Sequence, residues 1–383
     1  MEKARRQDAP AQFARAVRTL AQAGQPDVAH VCFVLGAGFS HAWDPSYPTS
    51  LELFDFRGHD WPRESPFLDD FLRMVFQASP GAGIDRDAFL EIVYQVGMLK
   101  KYPLLRHRYV DEFYLELVER ELRRAVLRRF HRTARPPALK GCALTFGAPL
   151  SSEQASISAL FSALEKQAVQ TRGDGAEPRV RVDFLTTNYD FLIEAILDTA
   201  LERPRARDLY RGFTPCAYCG EQEARALARS FPVGHLLKLN GGFDVYRRDG
   251  GFEIDYRERD ESSLRANPPE IMLPSRAQDY DQPYFQALFP KAVRLLRESR
   301  IVVLVGYSFP DEDALMRLLL RQFAEAPADG RQRTLYYIDL DDVRTQLAHA
   351  RTAFPHASAA GGLEVVPWRG SFSQWCGTAV SGL

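Results

Sequence analysis

The chain has 383 residues, of which 45% are hydrophobic and 26% are charged. This is enough for a sizeable core, and the length suits two domains or one large domain with an insertion. Lysine and arginine total 49 against 50 acidic residues, so no global field draws the chain to nucleic acid or lipid. The N-terminal segment is charged throughout, and no apolar run approaches the roughly 18 residues of a membrane span. We expect a cytoplasmic globular protein without a membrane partner.

Six short apolar runs predict the strands of one sheet. They are HVCFVLGAG, RVDFLTTN, HLLKLN, RIVVLVGYS, TLYYIDL and LEVVPW. Because these runs are apolar along most of their length, they suit parallel strands covered on both faces. Helical patterns follow the second and the fourth run. The alternation predicts an α/β, Rossmann-like doubly wound, mainly parallel sheet formed by residues 28–63 and 180–383, with ligands bound beyond the carboxyl ends of its strands.

Residues 64–172 show helical patterns with no clear strand, which indicates a helical insertion or second subdomain. One stretch carries an apolar stripe at spacings of three and four residues, formed by Leu115, Val118, Leu122, Val126 and Phe130. A parallel stripe consists of Arg124, Arg128 and Arg132. It could meet a polyanion or a partner, but charge runs of this kind are more often solvated faces, here balanced by nearby glutamates.

Glycine or polar residues follow three of the predicted strands. Gly36 and Gly38 follow the first, and Gly306 and Ser308 follow the fourth. Glycines allow a tight strand-to-helix turn, but they also let backbone N–H groups approach a nucleotide pyrophosphate. A full dinucleotide fingerprint would carry a third glycine where this chain has His41.

The second strand ends in TTNYD, where Thr187 or Asn188 could cap the helix that follows. Ser308 has the same alternative role at its own junction. The carboxyl ends of parallel strands share one edge of a doubly wound sheet, so three such ends are expected to converge on one crevice. This joint occurrence favours a ligand site over three independent caps.

The order of these motifs resembles the sirtuin-like proteins, and specifically their bacterial antiphage branch. The segments that carry the resemblance are GAGFS, YPTSLELF, TTNYD, LKLNGGFD and VGYSFPDED, within residues 30–260 and 300–370. The resemblance implies a single sirtuin-like catalytic unit over residues 1–383, with NAD bound in a Rossmann-like sheet. It further implies an NAD hydrolase that cleaves the nicotinamide–ribose bond and depletes NAD in an infected cell, which is abortive infection.

The resemblance also implies roles for individual residues. Asn188 would lie beside the nicotinamide ribose, where its dipoles stabilise an oxocarbenium-like ribose and hold a water without titrating. Asn188 and Asn240 are therefore the candidate catalytic residues. The candidate NAD-binding residues are Gly36, Ala37, Gly38, Ser40, Thr187, Asp190, Gly306, Ser308 and Asp339.

Position 240 departs from the family pattern. The motif written KLHG in most members is KLNG here, so Asn240 stands in place of the catalytic histidine. An amide cannot act as a general base, although it can hydrogen-bond ribose hydroxyls. His235 is expected to point to the opposite face of its strand and is a poor substitute. Three explanations stay open: a low-activity or binding-only member, a site that relies on Asn188, or an introduced substitution that traps NAD.

The five cysteines are odd in number and scattered, which does not indicate a disulfide framework. Cys216 and Cys219 form a single CxxC pair, whereas deacetylase sirtuins carry two such pairs on a zinc module. No zinc is therefore expected, and a deacetylase is disfavoured.

Two functions remain, and they predict different behaviour. The first is an NAD-hydrolysing effector, and the second is an NAD-binding assembly or regulatory subunit with little turnover. A DNA-cutting subunit of a defence complex is a third alternative. The resemblance implies a partner such as a HerA-like ATPase or a short Argonaute, and we expect a homo-oligomer. Contact with nucleic acid is expected to be weak or indirect.

Overall fold

The computed structural model describes residues 8–22, 28–58, 64–77, 83–141, 143–170, 180–202, 205–220, 234–276, 278, 280–310, 313–324, 332–357 and 362–383. The strands are β1 (Ala29–Leu35), β2 (Ala138–Lys140), β3 (Ala143–Thr145), β4 (Val180–Thr186), β5 (Ala217–Tyr218), β6 (Leu236–Lys238), β7 (Val245–Arg248), β8 (Gly251–Ile254), β9 (Ser299–Val305), β10 (Arg333–Asp339) and β11 (Leu363–Arg369). The α-helices are α1 (Ala9–Gln22), α2 (Ala37–Trp43), α3 (Ser50–Leu53), α4 (Pro66–Phe76), α5 (Arg86–Lys101), α6 (Glu112–Thr133), α7 (Ser152–Gln170), α8 (Leu192–Leu201), α9 (Glu261–Ala266), α10 (Pro283–Glu298), α11 (Ala314–Ala324), α12 (Val343–Ala353) and α13 (Phe372–Val380).

The six predicted strands form one sheet in the order β11-β10-β9-β1-β4-β6. Every neighbouring pair in this sheet is parallel. Counted from β6 in the chain order of the sheet strands, this is the 3-2-1-4-5-6 arrangement of Rossmann folds. The predicted doubly wound α/β fold is confirmed. The chain reverses its direction of winding between β1 and β9, so ligands are expected beyond the carboxyl ends of these strands.

Strand β1 shows why the apolar runs lack alternation. Val31, Phe33 and Leu35 face one core, while Cys32 and Val34 face a second core on the other side of the sheet. Helices α1, α7, α8 and α13 contribute to the first core, and α10, α11 and α12 to the second. Side chains on both faces of the strand are withdrawn from water, so both sets must be apolar.

The helical segment is tied to this sheet. Phe161 of α7, within the range predicted as the insertion, contacts Phe33 of β1 and Phe184 of β4, with ring centroids 5.3 and 5.6 Å apart. The apolar stripe of α6 is buried as predicted. The expectation of no strand in this range was wrong, because β2 and β3 pair as an antiparallel hairpin. Strands of three residues each are too short to show a recognisable alternation.

The arginine stripe of α6 is held by ion pairs within the chain. Arg124 is 1% exposed and pairs with Glu121. The Nε of Arg128 donates to Oε1 of Glu261 at 2.8 Å, and Nη2 of Arg132 donates to Oε2 of Glu64 at 2.6 Å. The expected solvated face is therefore wrong for Arg124, whose guanidinium also donates to Glu261 and to Ser65 at 3.3 Å each and so joins α6 to neighbouring segments.

A second small sheet, in the order β5-β8-β7, lies after β4 in the chain. No helix in the described part of the chain combines the length and the apolar character that crossing a bilayer requires.

Candidate functional site

A cleft opens at the carboxyl ends of β1, β4, β6 and β9. The space between its walls is about 940 Å³, a volume that includes open solvent at the mouth of the cleft. Eight of the predicted site residues line it: Ala37, Ser40, Thr187, Asn188, Asp190, Asn240, Gly306 and Ser308. The predicted convergence of several strand ends on one crevice is thus present in the geometry.

Asn188 lies in this cleft with a fixed amide. Its Nδ2 donates to the backbone oxygen of Gly36 at 2.8 Å and to Oγ of Ser40 at 2.9 Å. A backbone carbonyl only accepts hydrogen bonds, so the nitrogen and not the oxygen of the amide must face Gly36. Within the described part of the chain, the Oδ1 atom of Asn188 accepts no hydrogen bond. This oxygen is available to a molecule in the cleft.

Asp190 braces the same loop. Its Oδ2 accepts from Oγ of Ser40 at 2.7 Å, and its Oδ1 accepts from the backbone N–H of Leu192 at 3.0 Å. Burial raises the pKa of Asp190, against the lowering effect of these hydrogen bonds. Asp190 therefore accepts the hydrogen bond from a backbone N–H at the start of α8. Neither Thr187 nor Asn188 caps this helix, although the sequence had offered both as caps.

Thr186 is a structural residue that the site assignment omitted. Its Oγ1 donates to the backbone oxygen of Leu35 at 3.0 Å and accepts from the backbone N–H of Asn188 at 3.0 Å. The hydroxyl thereby locks the loop after β4 onto the end of β1. A threonine at the last position of a buried strand was the available sequence signal.

The glycines seat the loop after β1 on the loop after β9. A Cβ on Gly36 would lie 2.4 Å from the backbone oxygen of Gly306, and one on Gly38 would lie 2.7 Å from the Cα of Gly306. Gly306 itself has a φ of +58°, a region that favours glycine. The backbone N–H of Gly38 donates to the oxygen of Gly306 at 3.0 Å. Close approach of two loops is therefore one physical reason for all three glycines.

Three predicted residues do not line the cleft: Gly36, Gly38 and Asp339. Gly36 and Gly38 lie directly behind its wall through their contacts with Gly306. Asp339 ends β10 at the same edge of the sheet, where its Oδ1 accepts from the backbone N–H of Asp341 at 3.2 Å. Burial raises the pKa of Asp339, and the nearby charge of Asp341 adds to that effect.

Asn240 follows β6 and also faces the cleft. Its backbone oxygen accepts from the N–H of Met272 at 2.8 Å. Its side chain makes no hydrogen bond to any residue in the described ranges, so both its donors and its acceptor are open to a ligand. His235 does not line the cleft, because its Nδ1 lies 2.6 Å from Oδ1 of the buried Asp183. The expectation that His235 cannot replace a histidine at position 240 agrees with this placement.

Several lining residues were not predicted. The rings of Phe130 of α6 and Phe243 contact each other at a tilt of 45°, with centroids 4.9 Å apart, and form an apolar wall. The hydroxyl of Tyr307 donates to Oδ2 of Asp313 at 2.9 Å, and burial, with the charge of Asp313, raises the pKa of Tyr307. Phe130, the last residue of the apolar stripe of α6, thus lines the cleft as well as packing in the core. Its helical spacing could not indicate this second contact.

The described cysteines, Cys32, Cys216, Cys219 and Cys376, form no disulfide with one another. Across the described ranges, no group of three or more His, Cys, Asp or Glu residues is arranged to hold a metal ion.

Residues 182–356 match the family model of the SIR2-like domain. The match covers just under half of the chain and runs from β4 past α12, so it includes Asn188, Asn240 and Ser308 but not the glycine loop after β1. A comparison with curated proteins gave no match. The doubly wound sheet, the cleft at its switch point and this match together support a sirtuin-like relationship and chemistry related to NAD.

Proposed function

We propose that the protein binds NAD in this cleft and hydrolyses the bond between nicotinamide and ribose. The observation that carries the proposal is the fixed amide of Asn188. Its nitrogen is held by Gly36 and Ser40, and its Oδ1 is open at the carboxyl end of β4. The SIR2-like match across this residue supports NAD as the ligand.

The chemistry needs little from the protein beyond oriented dipoles. When the C1′–N bond of NAD breaks, its electron pair stays on the nitrogen, so the cationic ring leaves as neutral nicotinamide. Positive charge then builds on the ribose, where the Asn188 carbonyl dipole stabilises it. A water oxygen bonds to C1′, its proton passes to solvent, and the products are nicotinamide and ADP-ribose. Asn188 can orient this water without changing its own protonation state.

The rest of the cleft suits such a ligand. Phe130 and Phe243 provide an apolar wall, which strengthens electrostatic interactions by excluding water. The free amide of Asn240 can hydrogen-bond ribose hydroxyls. The lining residues of the β9 loop, Gly306 and Ser308, are proposed to meet the phosphates.

Calorimetric titration with NAD, together with chromatography of released nicotinamide, tests the proposal. We expect saturable binding and release of nicotinamide. A folded protein that binds no NAD at millimolar concentration would refute it.

A binding subunit with little turnover is the second candidate, and Asn240 is the observation that favours it. An amide at this position can hold the ribose but cannot take a proton. Binding without nicotinamide release, with every partner tested, would select this candidate. DNA cutting has less support, because the arginine stripe of α6, formed by Arg124, Arg128 and Arg132, is engaged in ion pairs within the chain.

We also propose that the protein acts in the bacterial cytoplasm as an antiphage effector that assembles with further copies and with a partner such as a HerA-like ATPase or a short Argonaute. The order of the sequence motifs supports the role. Leu104, Leu105, Tyr109 and Phe113 are exposed large apolar side chains within one segment of ten residues, which supports contact with a second copy, since exposed apolar surface is typical of interfaces. Light scattering of the wild type and of the Leu104→Glu/Leu105→Glu variant tests assembly. A monomeric wild type at micromolar concentration would contradict it.

A further inference from the structure

Four charged residues form a buried ion cluster beneath the cleft: Lys238, Arg211, Glu194 and Asp244. The side chains of Lys238, Glu194 and Asp244 are 0% exposed, and that of Arg211 is 3% exposed. The Nζ atom of Lys238 lies 2.6 Å from Oδ1 of Asp244 and 2.7 Å from Oε1 of Glu194. Nη2 of Arg211 lies 2.6 Å from Oδ2 of Asp244. Two cations thus face two carboxyl groups.

Such a cluster is not explained by stability alone. Removing charges from water is costly, and well-packed apolar residues often stabilise a fold as well as a buried ion pair does. Burial opposes ionisation of Asp244, but Lys238 and Arg211 outweigh it and lower the pKa of this carboxyl. The cluster is therefore expected to have a further role, and one of its charges makes a contact outside the cluster.

Lys238 makes that contact. Its Nζ donates to the backbone oxygen of Asp190 at 2.6 Å, a charge-assisted hydrogen bond. Asp190 lies two residues after Asn188, and Lys238 lies two residues before Asn240. One buried ammonium therefore joins the loop of Asn188 to the loop of Asn240.

The backbone around Lys238 reinforces this link. Its own carbonyl accepts from the hydroxyl of Tyr284 at 3.1 Å, and the N–H of Leu239 donates to the oxygen of Thr186 at 2.8 Å. At Gly242, a Cβ would lie 2.4 Å from Oδ1 of Asp244 and 2.8 Å from Cδ of Lys238. The second glycine of KLNGG thus leaves the space through which Lys238 reaches Asp244.

We propose that Lys238 is a positioning residue for the cleft. Its ammonium holds the carbonyl of Asp190 and so fixes Asn188 relative to Asn240, while Asp244 and Glu194, which lie 2.6 and 2.7 Å from its Nζ, orient that ammonium. The inference rests on the proposed function for its effect on NAD, but the link between the two loops is a property of the chain alone.

A charge-balanced variant tests this role. Lys238→Met alone would leave two carboxyl groups against one guanidinium, whereas Lys238→Met/Glu194→Gln leaves Arg211 paired with Asp244. We expect the double variant to keep a melting temperature close to that of Arg205→Met/Glu165→Gln, a control variant at another buried ion pair. It still lacks the donor to Asp190, so hydrogen exchange of the amides at residues 187–191 should quicken in the NAD-free protein. With NAD, kcat/KM should fall by about 10²-fold, mainly through kcat, because the reacting groups are misplaced.

The matched control is the buried pair of Arg205 and Glu165, with side chains 0% and 5% exposed and Nη2 of Arg205 3.0 Å from Oε1 of Glu165. Neither residue lines the cleft. Arg205→Met/Glu165→Gln should change the melting temperature without changing loop exchange or kcat/KM. If the two double variants changed hydrogen exchange at residues 187–191 and kcat/KM equally, the positioning role would be overturned.

Two outcomes separate this inference from the proposed function. If the wild type binds no NAD, the proposed function fails, while hydrogen exchange at residues 187–191 still decides the positioning role. If the Lys238 double variant does not fold, Gly242→Ala replaces it, since it crowds Lys238 and Asp244 without removing a charge. Unchanged exchange at residues 187–191 in Gly242→Ala would then refute the inference.

Discussion

Two polar clusters near strand β4 differ in whether they leave hydrogen-bonding atoms unused within the chain. Within the strand, Asp183 is 0% exposed and accepts from both His30 and His235, with Nδ1 to carboxylate oxygen distances of 2.6 Å. Beyond its end, Asn188 lines a cleft together with Asn240, which follows β6, and both keep hydrogen-bonding atoms unused among the described residues. A satisfied buried cluster serves the fold, whereas open polar atoms at a strand end can serve a ligand.

This difference predicts that substitutions at the cleft change activity with little effect on stability, and that substitutions at Asp183 do the opposite. The following changes test that division, from the largest expected effect to the smallest.

Asn240→His is expected to give the largest change. If turnover lacks only a proton acceptor near the ribose, the imidazole should raise NAD cleavage by about 10²- to 10⁴-fold, measured as nicotinamide release. Asn240→Gln is the control, because it keeps an amide and adds no base. Rapid cleavage by the unchanged chain, with no gain from histidine, would make position 240 a ribose contact only.

Asn188→Ala should abolish most of whatever turnover the protein has. Removing one oriented dipole beside a developing charge costs about 10²- to 10³-fold in kcat. Asn267→Ala is a control, since the Nδ2 of Asn267 donates to the backbone oxygen of Arg247 at 2.9 Å on the surface, outside the cleft. Full activity of Asn188→Ala would remove the residue on which the proposed function depends.

Asp183→Asn should destabilise the fold by about 3 kcal/mol, because it removes a buried carboxylate that both His30 and His235 hydrogen-bond, without changing the affinity for NAD. Burial raises the pKa of Asp183, but its hydrogen bonds to His235 and His30 outweigh burial and lower it. The ionised carboxylate therefore contributes stability that is fully present above the ordinary aspartate pKa of about 4 and is lost as the pH falls through the folded-state value.

Thermal unfolding between about pH 3 and 7 measures this contribution. The wild type should lose more stability below about pH 4 than Asp183→Asn does. Asp111→Asn is the control, because Asp111 is an exposed cap of α6 and asparagine caps equally well. Identical acid profiles for wild type and Asp183→Asn would contradict the assigned role.

Gly38→Val should give a smaller stability change and weaker NAD binding. The new side chain meets the Cα of Gly306, 2.7 Å from the Cβ position, and overpacking of this kind costs about 1–3 kcal/mol. Displacement of Gly306 and Ser308 should weaken binding, as calorimetry would measure. Gly97→Val is the control, since a Cβ there would have no atom within 4 Å apart from its chain neighbours and the backbone of its own helix. Unchanged affinity in Gly38→Val would separate the glycine loop from the NAD site.

The fold was accessible from the sequence because central sheet strands, such as β1, β4 and β9, are buried on both faces. Continuous apolar runs such as that of β1 can hardly occupy another environment. The candidate cleft was also accessible in outline, since parallel strands bring their carboxyl ends together. The short hairpin of β2 and β3 was missed, because three-residue strands carry too little pattern.

The sequence by itself determined the parallel sheet, the strand ends that form the cleft and the absence of a histidine at position 240. Only the tertiary structure decided which polar atoms are used within the chain. It paired the buried Arg124 with Glu261, set Gly38 against Gly306 and joined Lys238 to Asp190. Local patterns report how a side chain relates to its own helix or strand, whereas these contacts depend on distances between segments far apart in the chain.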